Sequence, residues 1–177
     1  MRKLKNNELA RISAEDFRLA KKTPIIVVLD NVRSAMNVGS VFRTTDAFLI
    51  EKIYLCGITA TPPNKEIMKT ALGANDSVDW EYMKETKDII GKLKAENHHI
   101  VGVEQTEKET LLQNFENPNK KIVLIFGHEV FGISQEVIDL CDECIEIPQF
   151  GTKHSLNIAV SAGLVIWEVW KKIQEEK

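Results

Sequence analysis

Residues 121–134 read KIVLIFGHEVFGIS. The apolar run Ile122–Phe126 has no polar residue within it and stops at Gly127. A strand with one wet face alternates apolar and polar side chains, whereas an unbroken branched run fits a strand covered on both faces, as in a parallel sheet between helices. Four other runs read the same way: PIIVVL (24–29), KIYLCGI (52–58), HIVGVE (99–104) and CIEIP (144–148). Between them, helices are expected at about 38–48, 85–96, 134–141 and 155–172. Strand and helix in alternation predict an α/β fold, a mostly parallel sheet with helices on both faces.

In such sheets ligands bind beyond the carboxyl ends of the strands. The residues just past each run are therefore informative: DNVRSAMNVGSVFR after the first, EQT after the third, GHEVFGIS after the fourth and PQFGTKHSLN after the fifth. Glycines and polar side chains gather at one sheet edge, and the site is expected there. Ser155 and Asn157 fall where the last helix is expected to begin, so Ser155 reads either as an ordinary helix cap or as part of a ligand-holding helix mouth. Asn37 likewise reads as a cap of the helix it precedes, and Glu129 as an exposed residue of a Gly-His turn.

The chain's 177 residues suit one domain with a substantial core, and 44% hydrophobic with 28% charged residues is the composition of a globular protein. No apolar stretch approaches a membrane span, and the charged start MRKLKNNELARISAEDFRLAKK lacks the apolar core of a secretory signal, which predicts a cytoplasmic protein. The net charge of −3 hides an asymmetry. Residues 1–22 hold seven Lys/Arg against three Asp/Glu, a local +4, and are expected to form a basic extension able to meet phosphate, with residues 23–177 as a single domain. Three cysteines cannot all pair. The CDEC run at 141–144 places acidic residues where a redox pair needs positive charge, and no second ligand pair completes a zinc site, so structural thiols and no metal are expected. His98 and His99 read as solvent-facing turn residues, and neither His128 nor His154 has an evident partner.

Absences narrow the chemistry. The first strand is followed by no glycine-rich turn, the nearest glycine being Gly39, and there is no GxxxxGK[ST] or GxSxG motif. Dinucleotide-binding, P-loop and serine-hydrolase readings therefore lack their signatures.

Three blocks, NVRSAMNVGSVFRTTDAF (31–48), LIFGHEVFGIS (124–134) and IPQFGTKHSLNIAVSAG (147–163), together resemble the SpoU (TrmH-type) family of RNA ribose 2′-O-methyltransferases in the SPOUT superfamily. The resemblance spans about residues 24–170. It implies a sheet whose C-terminal part is tied in a deep trefoil knot, against the general rule that chains are unknotted. It implies S-adenosylmethionine as cofactor, held near Glu104, Gly127, Ile147 and Leu156, and tRNA or rRNA as partner. No separate N-terminal RNA-binding domain is expected, so the basic extension and the domain surface must find the RNA.

The resemblance also carries over a catalytic set: Arg43, Asn37, Glu129, Ser155 and Asn157. Methyl transfer to a ribose requires the weakly acidic 2′-hydroxyl to lose its proton as it attacks, so positioning and charge decide the rate. Arg43 stays protonated and is better read as a bidentate phosphate clamp than as a base. Asn37 and Glu129 are expected to fix loops. Where the family usually continues SLNVSVA, this chain has SLNIAVSAG, so the hydroxyl expected at position 159 is missing. Leu156, Val160, Leu164, Trp167, Val169 and Trp170 give the last helix a wide apolar surface, expected to be shared between core and homodimer interface, with Arg11 or Arg18 serving the neighbouring subunit's RNA. The alternative is a noncatalytic RNA-binding protein that retains the knotted fold.

Overall fold

The computed structural model describes residues 1–5 and 8–175. Residues 6–7 of the expected basic extension and residues 176–177 of the expected domain lie outside the described residues. Among the described residues seven strands form one sheet: β1 (Thr23–Asp30), β2 (Ile50–Cys56), β3 (Trp80–Met83), β4 (His99–Val103), β5 (Glu109–Leu111), β6 (Ile122–Phe126) and β7 (Glu143–Glu146). Their order is β3-β2-β1-β6-β4-β7-β5, and every neighbouring pair is parallel. The α-helices of the described residues are α1 (Ala14–Leu19), α2 (Ala35–Ala47), α3 (Lys65–Ala71), α4 (Ala74–Ser77), α5 (Thr86–Ala95), α6 (Gln135–Ile138) and α7 (Ile158–Glu175).

The unbroken runs are explained by burial on both faces. Along β1, Ile25, Val27 and Leu29 point into one core with Phe42 of α2 and Val165, Ile166 and Val169 of α7. Ile26 and Val28 point into the other, with Ile89, Ile90 and Leu93 of α5 and Val137 of α6. β6 divides in the same way, Leu124 to the first core and Val123 and Ile125 to the second. Two strands lack a sequence signal. β3 and β5 are the sheet's edges, the short stretches WEYM and ETL, with no residue fully buried.

The sheet has two dissimilar halves. Consecutive crossovers take the chain outward from β1 to β2 to β3, whereas the other half is interleaved, with β6 between β1 and β4 and β7 between β4 and β5. That interleaving is consistent with the knotted C-terminal half the resemblance implies. At the junction, the turns after β1 and β6 leave the sheet side by side, the crevice that a reversal of strand order creates.

Three further details depart from what the sequence predicts. α1 falls inside residues 1–22, and its Phe17 is buried in the first core, so the extension is partly docked on the domain. His98 and His99 are not solvent-facing: their side chains are 9% and 19% exposed, and His99 Nε2 lies 2.7 Å from Glu143 Oε1. α2 and α3 meet at Gly39, where a Cβ would fall 2.1 Å from Thr70 Oγ1 and 2.4 Å from the Ile67 carbonyl; only glycine permits this approach.

Candidate functional site

A cavity of about 560 Å³ opens beyond β4, β6 and β7. Its walls come from the three segments that succeed those strands: Glu104 and Gln105, Gly127–Gly132, and Ile147 onward to the first turn of α7. All four residues expected at a cofactor, Glu104, Gly127, Ile147 and Leu156, line it, as do Glu129, Ser155 and Asn157.

The segment after β6 is a closed loop. His128 and Gly132 exchange backbone hydrogen bonds, His128 N–H to the Gly132 carbonyl at 3.1 Å and Gly132 N–H to the His128 carbonyl at 2.9 Å. A Cβ at position 127 would lie 2.3–2.5 Å from backbone atoms of Gly132 and Ile133, so a glycine is required for the closure. The Glu104 carboxylate pins the loop from β4, accepting the Ile133 N–H at 2.9 Å and the Gln105 N–H at 3.0 Å. His128, which has no evident partner in the sequence, has one in the fold: its Nδ1 accepts the Val130 N–H at 2.9 Å. Gln105 Nε2 donates to Glu146 at 3.0 Å and to the His154 carbonyl at 3.3 Å, tying the segment after β7 to that after β4.

At the mouth, residues from three sequence blocks join. Glu129 accepts the Arg33 and Ser34 N–H groups, both at 2.9 Å, and the Asn37 side-chain amide at 3.2 Å. Asn37 Oδ1 in turn accepts from Asn157 Nδ2 at 3.2 Å. Partial burial raises the Glu129 pKa, but the Arg33 and Ser34 amide donors outweigh it and hold the carboxyl below its ordinary value. Glu129 is thus a half-buried tie between the turns after β1 and β6 rather than an exposed turn residue.

Two helix starts are corrected. Ser34, not Asn37, caps α2, and its hydroxyl accepts the Asn37 N–H at 3.3 Å. α7 begins at Ile158 rather than 155, and its cap is Asn157, whose Oδ1 accepts the Ala159 N–H at 2.9 Å and the Val160 N–H at 3.4 Å. Ser155 is exposed in the cavity wall and caps nothing.

Arg43 stands apart from this network. It projects into a second recess of about 620 Å³ along α2, lined also by Ser40, Thr44, Phe48, Lys69 and Gly163. Six residues of helix turn it about 240° from Asn37. The Ser40 and Thr44 hydroxyls donate to backbone carbonyls of their own helix at 3.0 and 3.2 Å. Among the described residues neither Arg43 nor Lys69 has a hydrogen-bond or ion-pair partner. Lys69 carries no sequence signal, because α3 belongs to none of the helical stretches the sequence predicts.

The cavity's composition suits an amphipathic cation of nucleoside size. Val103, Ile145, Ile147 and Leu156 offer apolar walls, the carboxylates of Glu104, Glu129 and Glu146 a negative rim, and the volume falls in the usual range for small-molecule sites. No group of three or more metal-ligating side chains occurs among the described residues. The thiols are kept protonated: burial pushes Cys56 and Cys141 up to about 12 and raises Cys144. No helix among the described residues is long and apolar enough to cross a membrane.

The chain is similar to known proteins in both sequence and fold. The model of the SpoU rRNA Methylase family matches residues 24–167. A mouse protein named tRNA (guanosine(18)-2′-O)-methyltransferase TARBP1 is 30% identical over 146 residues, covering 81% of this chain and 9% of that much longer protein. Among solved structures, an A. aeolicus TrmH/SpoU tRNA modifying enzyme superposes with a TM-score of 0.82 at 25% identity, covering 92% of this chain and 83% of its own. The AdoMet-bound rRNA methyltransferase from Sinorhizobium meliloti gives 0.79 at 26% identity, covering 88% of this chain and 59% of its own.

Proposed function

The chain belongs to the SpoU rRNA Methylase family, and from that premise we propose that it is an S-adenosylmethionine-dependent methyltransferase of the ribose 2′-hydroxyl of tRNA or rRNA, acting in the cytoplasm as a homodimer. The observation that carries the proposal is the Asn157–Asn37–Glu129 hydrogen-bonded line at the mouth of a nucleoside-sized, carboxylate-rimmed cavity. Such a line fixes three chain segments around one point and uses up its own polar groups in doing so, which is the construction of a preorganised site.

The residues that would hold S-adenosylmethionine are Glu104, Gly127, Ile147 and Leu156. When bound, it supplies an electrophilic methyl group carried on a sulfonium. The remaining work belongs to the chain. Glu129 and Asn37 hold the turn before α2 against the loop after β6. Asn157 starts α7 while linking to Asn37, and Ser155 presents a hydroxyl from the cavity wall. Arg43 and Lys69, with no partner among the described residues, grip the RNA backbone. The guanidinium offers a phosphate its planar fork, while the ammonium adds a point charge. The exposed cations Lys3, Arg11 and Arg18 of the N-terminal segment add positive charge for the RNA backbone.

Homodimer formation rests on α7. Its inward residues Val165, Ile166 and Val169 are fully buried, while Val160, Leu164 and Trp167 remain exposed at helical spacing. Trp167 is held rigid by Trp170, stacked at 5.3 Å, and by Phe48 at 5.9 Å. An ordered apolar stripe of this kind needs a cover.

The deciding experiment supplies methyl-labelled S-adenosylmethionine and bulk tRNA or rRNA to the purified protein, then maps ribose methylation in the labelled RNA. Label in a 2′-O-methyl nucleoside is expected. Label confined to a base would refute the ribose assignment, and RNA binding with no transfer would favour the noncatalytic reading.

A further inference from the structure

The rim of the cavity carries exposed aromatic surface that neither the fold nor the cofactor site accounts for. Phe131 is 83% exposed and Val130 69%, both on the closed loop after β6 and both lining the cavity. Phe150 is 96% exposed and sits directly after the lining residue Gln149. Large apolar side chains this exposed are costly in water and mark binding surfaces when they cluster beside a cavity.

Phe131 is not a loose tip. Its ring packs on the His128 ring with centroids 4.9 Å apart and planes inclined by 37°. His128 Nδ1 accepts the neighbouring Val130 N–H, and Gly132, next in sequence, is locked in the loop-closing pair with His128. One face of a rigid ring is thus supported and the rest is offered to solvent within the same loop that carries Glu129. A ring ordered in advance loses little freedom on binding a flat partner.

We propose that Phe131 is a stacking platform for a nucleobase of the substrate RNA at or beside the methylated nucleotide. The proposal rests on the RNA-methyltransferase reading. A nucleotide that leaves the stack of its neighbours to bring its ribose into the cavity can recover that loss by placing its base against an aromatic side chain. Stacking tolerates any base, so Phe131 would contribute affinity and position rather than sequence choice. Phe150, exposed on the segment after β7 next to the lining residue Gln149, offers a second aromatic surface.

The test uses Phe131→Ala, Phe131→Leu and Phe131→Trp in the full chain. Because the ring is exposed, none of the three removes core packing. Two readouts are taken: binding of a single-stranded oligoribonucleotide carrying one 2-aminopurine, by fluorescence quenching, and S-adenosylmethionine binding by calorimetry. Phe131→Ala and Phe131→Leu should weaken RNA binding about ten-fold and remove much of the quenching, while Phe131→Trp retains both. Cofactor affinity and the sedimentation-derived mass should not change.

Leucine behaving like phenylalanine would overturn stacking in favour of simple apolar contact. An equal fall in cofactor affinity would assign the ring to the cofactor's adenine, and a change of mass would assign it to a second copy of the chain; either overturns the inference. Failure of the wild type to quench the probe also overturns it. Because quenching needs no turnover, these results stand whether or not the protein transfers a methyl group, so failure of the inference and failure of the methyltransferase reading remain distinguishable.

Discussion

The two recesses flank the start of α7, with Ser161 lining one and Gly163 the other, yet they are built on opposite terms. In the cavity beyond β4, β6 and β7, the polar groups are largely committed to one another: Glu104 to the loop after β6, Glu129 to the turn before α2 and to Asn37, Asn157 to Asn37 and to its own helix. In the groove along α2, Arg43 and Lys69 have no partner among the described residues. Committed groups fix a shape, and an uncommitted cation keeps its full capacity for an external anion. The first recess is therefore suited to a small molecule that must be held in one pose, the second to a polyanion whose phosphates provide the missing counter-charge.

The largest effect should come from spoiling the closure of the cavity. In Gly127→Ala the new methyl group would meet the Gly132 and Ile133 backbone at 2.3–2.5 Å, so the loop that carries Glu129 must open. Calorimetry should find no S-adenosylmethionine binding at millimolar ligand, with the protein still folded. Normal affinity would show that the loop's closure is not what shapes the site.

Arg43→Lys probes the other recess. The charge survives and the planar fork is lost, so RNA binding should change little while single-turnover methylation at saturating RNA falls by at least ~10²-fold, the scale of one preorganised electrostatic contact. Cofactor affinity should be unaltered, because Arg43 lines a different recess. Loss of cofactor binding in this variant would erase the division of labour between the recesses.

The share of this division that is legible in the sequence differs from part to part, for physical reasons. β1, β4 and β6 are legible because burial on both faces leaves apolar runs with little alternation, and β2 and β7 through the shorter buried stretches Ile53–Cys56 and Cys144–Ile145. β3 and β5 are not, because these edge strands are only four and three residues long and leave no apolar run. The cavity residues are legible as sequence blocks, since each comes just past a strand and the strands all end at one edge. Their connections are not: the link from Asn157 to Asn37 crosses 120 positions, and no local pattern encodes the placement of β6 between β1 and β4. Arg43 is legible as a residue type but not as a resident of a separate groove, which depends on α3 crossing α2 at Gly39.

A moderate effect is expected from Glu129→Gln. The amide keeps one acceptor oxygen but sets an NH2 group against N–H donors, at a cost of about 1–3 kcal/mol in stability. The pH dependence has a defined sign. The folded-state pKa of Glu129 is held below its ordinary 4.5, so the stabilisation is present above that value and is lost as pH falls through the folded-state pKa. Chemical denaturation at pH 7 and at pH 3 should therefore give a stability gap between wild type and variant that narrows at the lower pH. A constant gap would mean that the carboxylate's charge is not what holds the two turns together.

The smallest change in stability, and the most discriminating, is expected from Asn157→Asp. Asn157 does two jobs with two atoms: Oδ1 caps α7 by accepting from Ala159, and Nδ2 donates to Asn37. Aspartate keeps the acceptor and adds a negative charge at a helix N-terminus, where it is favoured by about 0.3–1 kcal/mol. It loses the donor and turns a carboxylate oxygen toward Asn37 Oδ1, the acceptor end of the amide whose Nδ2 donates to Glu129. The capping gain and the lost side-chain bond nearly cancel, so the thermal midpoint should move by only a few degrees in either direction. Turnover has no such compensation, because Asn37 is left free to rotate away from Glu129. Methylation should fall while melting barely changes, and Asn157→Ala should lower both. Activity retained in Asn157→Asp would reduce Asn157 to a helix cap and leave Asn37 and Glu129 alone as the positioning pair.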